Sequence, residues 1–278
     1  SALQDNTTGA RNVAIGQETL CTNTTGCCNV AVGAIALFKN STGACNTSMG
    51  TRSMQCNTTG ARNSAFGLCA LFNNTTASQN TAMGVFALDT NTTGANNVAI
   101  GVYALDSNTT ASNNTSVGYN SSQANTTGTC NVALGYSTGN TTTTGSNNTT
   151  LGYLAISSSA TVSHEITLGN ADNNNLRCND TSISSLSDLR DKENIEDIPH
   201  GLDYILALRP VKFDWNRRDG SSKGKKDYGF IAQELDKVEE KFGNKEYTRL
   251  VSKENPEKWE ADPMKTYPIL IKAIQELT

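Results

Sequence analysis

The side chains able to do chemistry are unevenly spread along the 278-residue sequence. All eight cysteines precede residue 181. Cys28, Cys45 and Cys130 share one register position, each directly before an Asn. On stacked strands about 4.8 Å apart, Cys28 and Cys45 come near disulfide distance. Cys21, Cys27, Cys56, Cys69 and Cys178 share no such column, and no CxxC pair or His cluster points to zinc. The cysteines therefore read as free thiols of a reducing compartment, with no metal and no cofactor. Of the two histidines, His164 sits in a decaying repeat and His200 in PHG, a cap-and-turn position. Neither is placed as a base. Ser187 and Lys192, in SDLRDKENI, pair a hydroxyl with an amine. A serine is a weak nucleophile and needs a base, which a lysine becomes only when burial or positive charge makes it neutral. The spacing of five permits contact if the segment turns once. Arg190 could supply the positive charge, while Asp188, Asp191 and Glu193 oppose it. Alone, the same run also reads as a helix start, with Ser-Asp as N-cap residues and Lys192 as a solvated charge.

The elements that carry these residues differ in kind. Residues 1–180 hold five Lys/Arg and seven Asp/Glu, whereas all five prolines and both tryptophans follow residue 180. The first part is a repeat. NVAIG at Asn12–Gly16 returns as NVAVG at Asn29, NTSMG at Asn46, NSAFG at Asn63, NTAMG at Asn80, NVAIG at Asn97, NTSVG at Asn114, NVALG at Asn131 and NTTLG at Asn148. A degenerate copy, EITLG, ends at Gly169. An NTTG box keeps the same 17-residue step from Asn6, and no insertion breaks it. A fixed step without insertions is the mark of a solenoid, and 17 residues suit one β-rung better than a helical hairpin.

Within the pentad the third residue is small (Ala14, Ala31, Ser48, Ala65) and the fourth bulky (Ile15, Val32, Met49, Phe66). Strand alternation puts them on opposite faces. A further row, Leu20, Leu37, Met54, Leu71, Leu88 and Leu105, is expected to pack against the bulky row. The Ala/Ser face is too apolar to leave wet, so it is expected to be buried against other copies of the chain, as an oligomeric shaft. Asn6, Asn23 and Asn57 lie in N-glycosylation sequons, though Asn and Thr equally serve turn formation. The Thr7, Thr24, Thr58 and Thr75 column reads as a solvated turn ladder or, alternatively, a flat ice-binding array. Paired carboxylates on a recurring face, which glycoside hydrolysis would require, are not expected.

After residue 180 a short helix is expected around Gly201–Leu208, stopped by Pro210, then a strand over Val211–Trp215 and a charged loop, NRRDGSSKGKKD. GFIAQELDKVEEKFG reads as a helix closed by Gly243. YPILIKAIQELT reads as an amphipathic helix with Ile269, Ile271, Ile274 and Leu277 on a face long enough for a partner. The division is residues 1–169 shaft, 170–186 connecting stalk and 187–278 a small α+β domain with a C-terminal amphipathic helix. A net charge of −4 gives no reason to expect nucleic acid, and no run of about 18 apolar residues forms a membrane span. The chain starts inside a repeat at Ser1 and is expected to be the C-terminal piece of something longer.

The NxAxG pentads over residues 1–169 resemble the head repeats of trimeric autotransporter adhesins, and more closely the shaft repeats of phage tail fibres and giant-virus fibres. That resemblance implies a trimer. The order SDLRDKENI, GLDYILALRPVKFDW, GFIAQEL, YPILIKAIQEL resembles the C-terminal intramolecular chaperone of phage endosialidases, tail spikes and L-shaped tail fibres, found also in myelin regulatory factor. It implies a domain that trimerises, templates folding of the upstream shaft and cuts itself off with a serine–lysine dyad. Carried over by motif position, the dyad is Ser187 and Lys192. The chain departs from the family pattern at Asp191, where an aliphatic residue is commoner. The scissile bond is then Leu186–Ser187, whose carbonyl the hydroxyl reaches by an N→O acyl shift.

The implied protein is a homotrimeric viral fibre or tail-spike fragment, assembled in the host cytoplasm and carried on the virion. Its partner outside the trimer would be a host-surface receptor or glycan. The enzyme it contains would be a single-turnover self-cleaving serine peptidase. A cellular adhesin stalk, or an ice-binding or structural β-solenoid, are the alternatives.

Overall fold

A computed structural model describes residues 1–173, 187–216, 223–243, 245–253 and 259–278. Leu186 and Cys178 lie outside the described residues. Two compact units are present, Ser1–Asn170 and Ala171–Thr278.

The first unit is a β-solenoid. Each pentad forms a three-residue strand: β1 (Val13–Ile15), β2 (Val30–Val32), β3 (Thr47–Met49) and so on every 17 residues to β10 (Ile166–Leu168). The ten strands make one parallel sheet in chain order, with Ala14 opposite Ala31 and Ala31 opposite Ser48. The small and bulky rows do take opposite faces, but the sides are the reverse of the expectation. The small row is inside the chain's own coil, fully buried at Ala31, Ser48, Ala65, Ala82 and Ala99. Its partner is the Leu20–Leu105 row, equally buried and in the same cluster. The bulky row faces outward, with Ile15, Met49, Met83, Ile100 and Leu134 between 37% and 60% exposed.

The physical reason is a turn. Leu20, Leu37, Met54, Leu71, Leu88 and Leu105 have φ of 49–53°, a left-handed conformation that folds the chain back beneath the strand. Such a residue costs about 1–2 kcal/mol, and burying a Leu side chain returns about 1.5–3 kcal/mol. Opposite these turn residues the strand position is Ala or Ser on every rung from Ala14 to Ala99. Where Ser enters, it enters in pairs: Ser48 bonds Ser53, and Ser116 bonds Ser121 at 2.7 Å.

Two asparagine ladders close the rungs. Asn23 Nδ2 donates to Asn6 Oδ1 at 2.8 Å and to the Gly26 carbonyl at 3.0 Å. Asn29 takes Asn12 Oδ1 with its backbone N–H at 2.9 Å, and its own Nδ2 donates to the Gly43 carbonyl at 2.9 Å. The sequon residues Asn23 and Asn57 are fully buried in the first ladder, so turn formation is what the motif serves in the folded shaft. Thr24 and Thr58 hydroxyls donate to the carbonyls of Ser41 and Thr75 on the next rung. That engagement disfavours an open ice-binding array.

The second unit is small and mixed. Helix α1 (Leu202–Ala207) is followed by the antiparallel pair β11 (Val211–Asp214) and β12 (Lys226–Gly229), so the end of the expected charged loop is strand. Then come α2 (Ala232–Phe242), ended by Gly243 at φ 67°, α3 (Lys245–Thr248), the pair β13 (Val251–Ser252) and β14 (Glu260–Ala261), and α4 (Tyr267–Glu276). The core is Tyr204, Leu235, Leu250 and Ile269. Helix α4 buries Ile269 and Ala273 and leaves Leu270, Ile271, Ile274 and Leu277 exposed. The expected single face is therefore split: Ile269 is a core residue and the others are not.

Candidate active site

Ser187 begins the described part of the second unit that carries the pair, and it leads into a short 3-10 turn, Leu189–Asp191. Asp188 caps that turn, its carboxylate accepting from the Arg190 backbone N–H at 2.9 Å. The turn ends at Lys192, whose N–H returns to the Leu189 carbonyl at 3.2 Å and whose backbone is extended. One turn across five residues brings the two side chains together: Lys192 Nζ donates to Ser187 Oγ at 2.7 Å. The helix-start reading holds for Asp188, which makes the cap. It does not hold for Lys192, which folds back onto the hydroxyl.

The surrounding charges are sorted by the same turn. The Arg190 guanidinium grips Asp188 through two bonds, at 3.0 and 2.6 Å. Those bonds hold the Asp188 carboxyl below the usual carboxylate range. Arg190 is therefore committed to Asp188 rather than supplying charge to Lys192, which corrects one expectation. Ser187 and Lys192 are both exposed, as are Leu189 and Ile195 beside them, at 71% and 63%. The pair has contact geometry for a nucleophile and base, in an environment that keeps the amine hydrated.

The histidines are occupied elsewhere. His200 Nδ1 lies 3.0 Å from Asp203 Oδ2, and its ring stands edge-on to Phe242 at 5.0 Å. His164 contacts Asn147. Among the described residues no group of three or more His, Cys, Asp or Glu side chains is arranged to hold a metal ion.

Several contacts that support the unit carrying the dyad were not anticipated. Glu276, at the end of α4, accepts from the Leu202 N–H at 2.7 Å, so α4 caps α1. A Cβ at Gly201 would come within 2.8 Å of that carboxylate, which is why glycine precedes α1. Asp236 is buried between Lys245 at 2.8 Å and Lys253 at 2.5 Å. Burial raises its pKa, but the two lysine bonds outweigh that and leave it lowered. Fully buried Glu239 accepts from the Thr248 hydroxyl and the Leu250 N–H. These pairs join residues from 9 to 74 apart, and only Glu276, in helical step with Ile269 and Ala273, left a trace in the sequence pattern.

The shaft also holds a carboxylate pair that was not expected. Asp89 and Asp106 occupy one column on adjacent rungs. Asp89 is half-buried, and burial followed by the Asp106 charge pushes its pKa up to about 6. The two are stacked along one wall, whereas glycosidase carboxylates flank a sugar across a cleft. The pair does not supply that chemistry.

No curated protein and no solved structure matched the chain. A family model described as the chaperone of endosialidase matches residues 187–244, beginning at Ser187 and running through α1, β11, β12 and α2. Among the described residues, no helix is long and apolar enough to cross a membrane. The chain is a β-solenoid shaft of 17-residue rungs followed by an endosialidase-type chaperone domain.

Proposed function

We propose that the chain is part of a homotrimeric viral fibre or tail spike, aligned and folded by its C-terminal unit and then separated from it by self-cleavage at Leu186–Ser187. The observation that carries the reading is the 2.7 Å contact between Lys192 Nζ and Ser187 Oγ at the start of the matched segment. In the reaction, neutral Lys192 takes the Ser187 hydroxyl proton and the oxygen attacks the Leu186 carbonyl. The amide C–N bond breaks as the proton passes to the Ser187 nitrogen, giving an ester and a free amine. Water then hydrolyses the ester to the Leu186 carboxylate and restores the hydroxyl. The domain acts on itself once and is not a turnover enzyme.

Two features support assembly. The outward row Ile15, Met49, Met83, Ile100 and Leu134 is joined, two residues further along each rung, by a second exposed column holding Leu68, Tyr119, Tyr136 and Tyr153. A second copy presents the same row at the same rung step, so its contacts stay in register along the whole length. In the C-terminal unit, Leu270, Ile274 and Leu277 lie on one outward face of α4. Near the dyad, Leu189 and Ile195 offer an apolar surface that a neighbouring copy would cover, drying Lys192 and favouring its neutral form. Cleavage then waits for assembly.

The shaft explains why such a device is useful. Its strands pair with neighbours 17 residues away, every rung resembles the next, and a slip of one rung costs little locally. Three chains joined at one end raise the local concentration of strands and set the register. Removing the clamp leaves a shaft stable by its barrier. Host-surface attachment through a receptor or glycan is the purpose such a fibre would serve. The test is denaturing electrophoresis with intact mass and light scattering, on the wild type, Ser187→Ala and Lys192→Ala. A fragment beginning at Ser187, absent in both variants, together with a trimer mass, is expected. An uncut wild-type trimer would overturn the cleavage reading, and a monomer would overturn the whole.

A further inference from the structure

Four residues in one column of the shaft form an arrangement that self-cleavage and assembly leave unused. Arg11, Cys28, Cys45 and Arg62 stand on consecutive rungs with φ of 61, 59, 58 and 59°. The same backbone conformation starts all four side chains in the same direction. The rungs are tied at this point: the Cys28 N–H bonds the Ala10 carbonyl at 2.9 Å, the Cys45 N–H bonds the Cys27 carbonyl at 3.0 Å, and the Arg62 N–H bonds the Ala44 carbonyl at 3.0 Å. Parallel neighbours stand about 4.8 Å apart, inside the ~4.4–6.8 Å Cα window that a disulfide spans. Both thiols are free and exposed. Two arginines flank them along the column, and both are exposed.

We propose that Cys28 and Cys45 are an oxidisable dithiol that closes to a disulfide between adjacent rungs by exchange with an anionic low-molecular-weight disulfide drawn in by Arg11 and Arg62. In the first step one thiolate attacks a sulfur of the reagent, forming a mixed disulfide and releasing one thiolate. In the second, the other cysteine attacks the protein-bound sulfur, forming the Cys28–Cys45 bond and releasing the second thiolate. Two protein thiols lose two electrons and two protons in all, and the reagent is reduced to two thiols. Cys27 is the neighbour that could compete. Its thiol is hydrogen-bonded to Cys28, and that contact pushes its pKa up, which keeps it protonated. The closed bond would join the rungs of β2 and β3.

The shaft contains its own control. Cys130 holds the same column position at φ 58° and is also exposed, but the rungs on either side carry Asn113 and Asn147 there. The experiment treats the whole chain with oxidised glutathione, caps remaining thiols and sequences the tryptic peptides. Cleavage at Arg11, Lys39 and Arg52 puts Cys28 and Cys45 in different peptides. A Cys28–Cys45 link, with Cys130 carrying glutathione, is the expected result. Separate glutathione adducts on Cys28 and Cys45, or a link to Cys27, would overturn the proposal. Cys27→Ser should keep the link, and Cys45→Ser should leave Cys28 as an adduct like Cys130. Replacing Arg11 and Arg62 by Gln should slow exchange with oxidised glutathione on the order of tenfold, but not exchange with uncharged 2-hydroxyethyl disulfide. Equal slowing of both, or of neither, would overturn the role given to the arginines.

Discussion

The shaft and the C-terminal unit hold themselves together by different means. In the shaft the contacts run in columns that repeat from rung to rung: Asn to Asn and Thr to carbonyl between residues 17 apart, and the Leu row packed with the Ala row. In the C-terminal unit each contact occurs once, as when Glu276 reaches Leu202 or Asp236 takes two lysines. The shaft's interior is largely small and amide-bearing, and the C-terminal core is aromatic and aliphatic. A column tolerates little locally, because the rungs above and below impose the same geometry, yet it adds stability rung by rung. A core of unlike contacts depends on a few large residues and rearranges more easily around a small change. That contrast suits the proposed roles, a shaft that persists and a C-terminal unit that is used once.

The sharpest way to break this contrast is with glycine. The pentad glycine Gly84 has φ 143°, and a Cβ there would stand 2.4 Å from the Gly101 carbonyl oxygen of the next rung. Gly84→Ala should destabilise the shaft by about 4 kcal/mol or split its unfolding into two transitions, read by calorimetry. Gly243 also has positive φ, at 67°, but nothing lies within 4 Å of its Cβ position. Gly243→Ala should cost the C-terminal unit only about 1 kcal/mol. Equal effects would show that the rungs yield where the columns imply they cannot.

The inside-out assignment gives the next effect. Leu88 is fully buried and Met83 is 42% exposed. Leu88→Ala should lower shaft stability by about 3 kcal/mol whatever the assembly state. Met83→Ala should leave a lone chain within about 0.5 kcal/mol of wild type and weaken only association, measured by sedimentation. The reverse ranking would restore the small row to the outside.

The smallest effect is a pH dependence confined to the shaft. Asp89 has its folded-state pKa raised to about 6, above the unfolded carboxylate range. The folded state therefore binds the proton more tightly. The stability this contributes is fully present below about pH 4 and is lost as pH rises through about 6. Asp89→Asn should stabilise the shaft by ~1 kcal/mol at pH 8, a figure discounted because the group is half-buried, and should change nothing at pH 4. Melting at the two pH values checks it, and a gain at pH 4 equal to that at pH 8 would refute the carboxylate account.

Much of this was legible in the residues. The unbroken step of 17 required a solenoid, and the Asn-Thr boxes marked its turns. GLDYILALRP marked α1 and its stop, and Gly243 marked the end of α2. Other features were not legible for identifiable reasons. Asp89 and Asp106 stand in one column, but that column holds Phe72 before them and Gln123 after them, so the carboxylates form no recurring row. Ile269 and Ile271 are alike in type but, two apart on a helix, point about 200° apart, and which of them faces the core is set by packing with Tyr204, Leu235 and Leu250. The Ser187–Lys192 contact depends on a single 3-10 turn held by Asp188, and a spacing of five permits contact without requiring it.

What the sequence determined by itself was periodicity: where each strand begins, which residues share a column, and that small and bulky rows lie on opposite faces. These follow from spacing alone, since identical neighbours must stack in one geometry. Only the tertiary structure decided which face is the interior. A three-residue strand offers both sides equally, and the choice falls to a leucine in a left-handed turn that the strand's own alternation does not include. Once that leucine folds underneath, alanine or serine stands above it from Ala14 to Ala99, and the larger side chains are left on the outside.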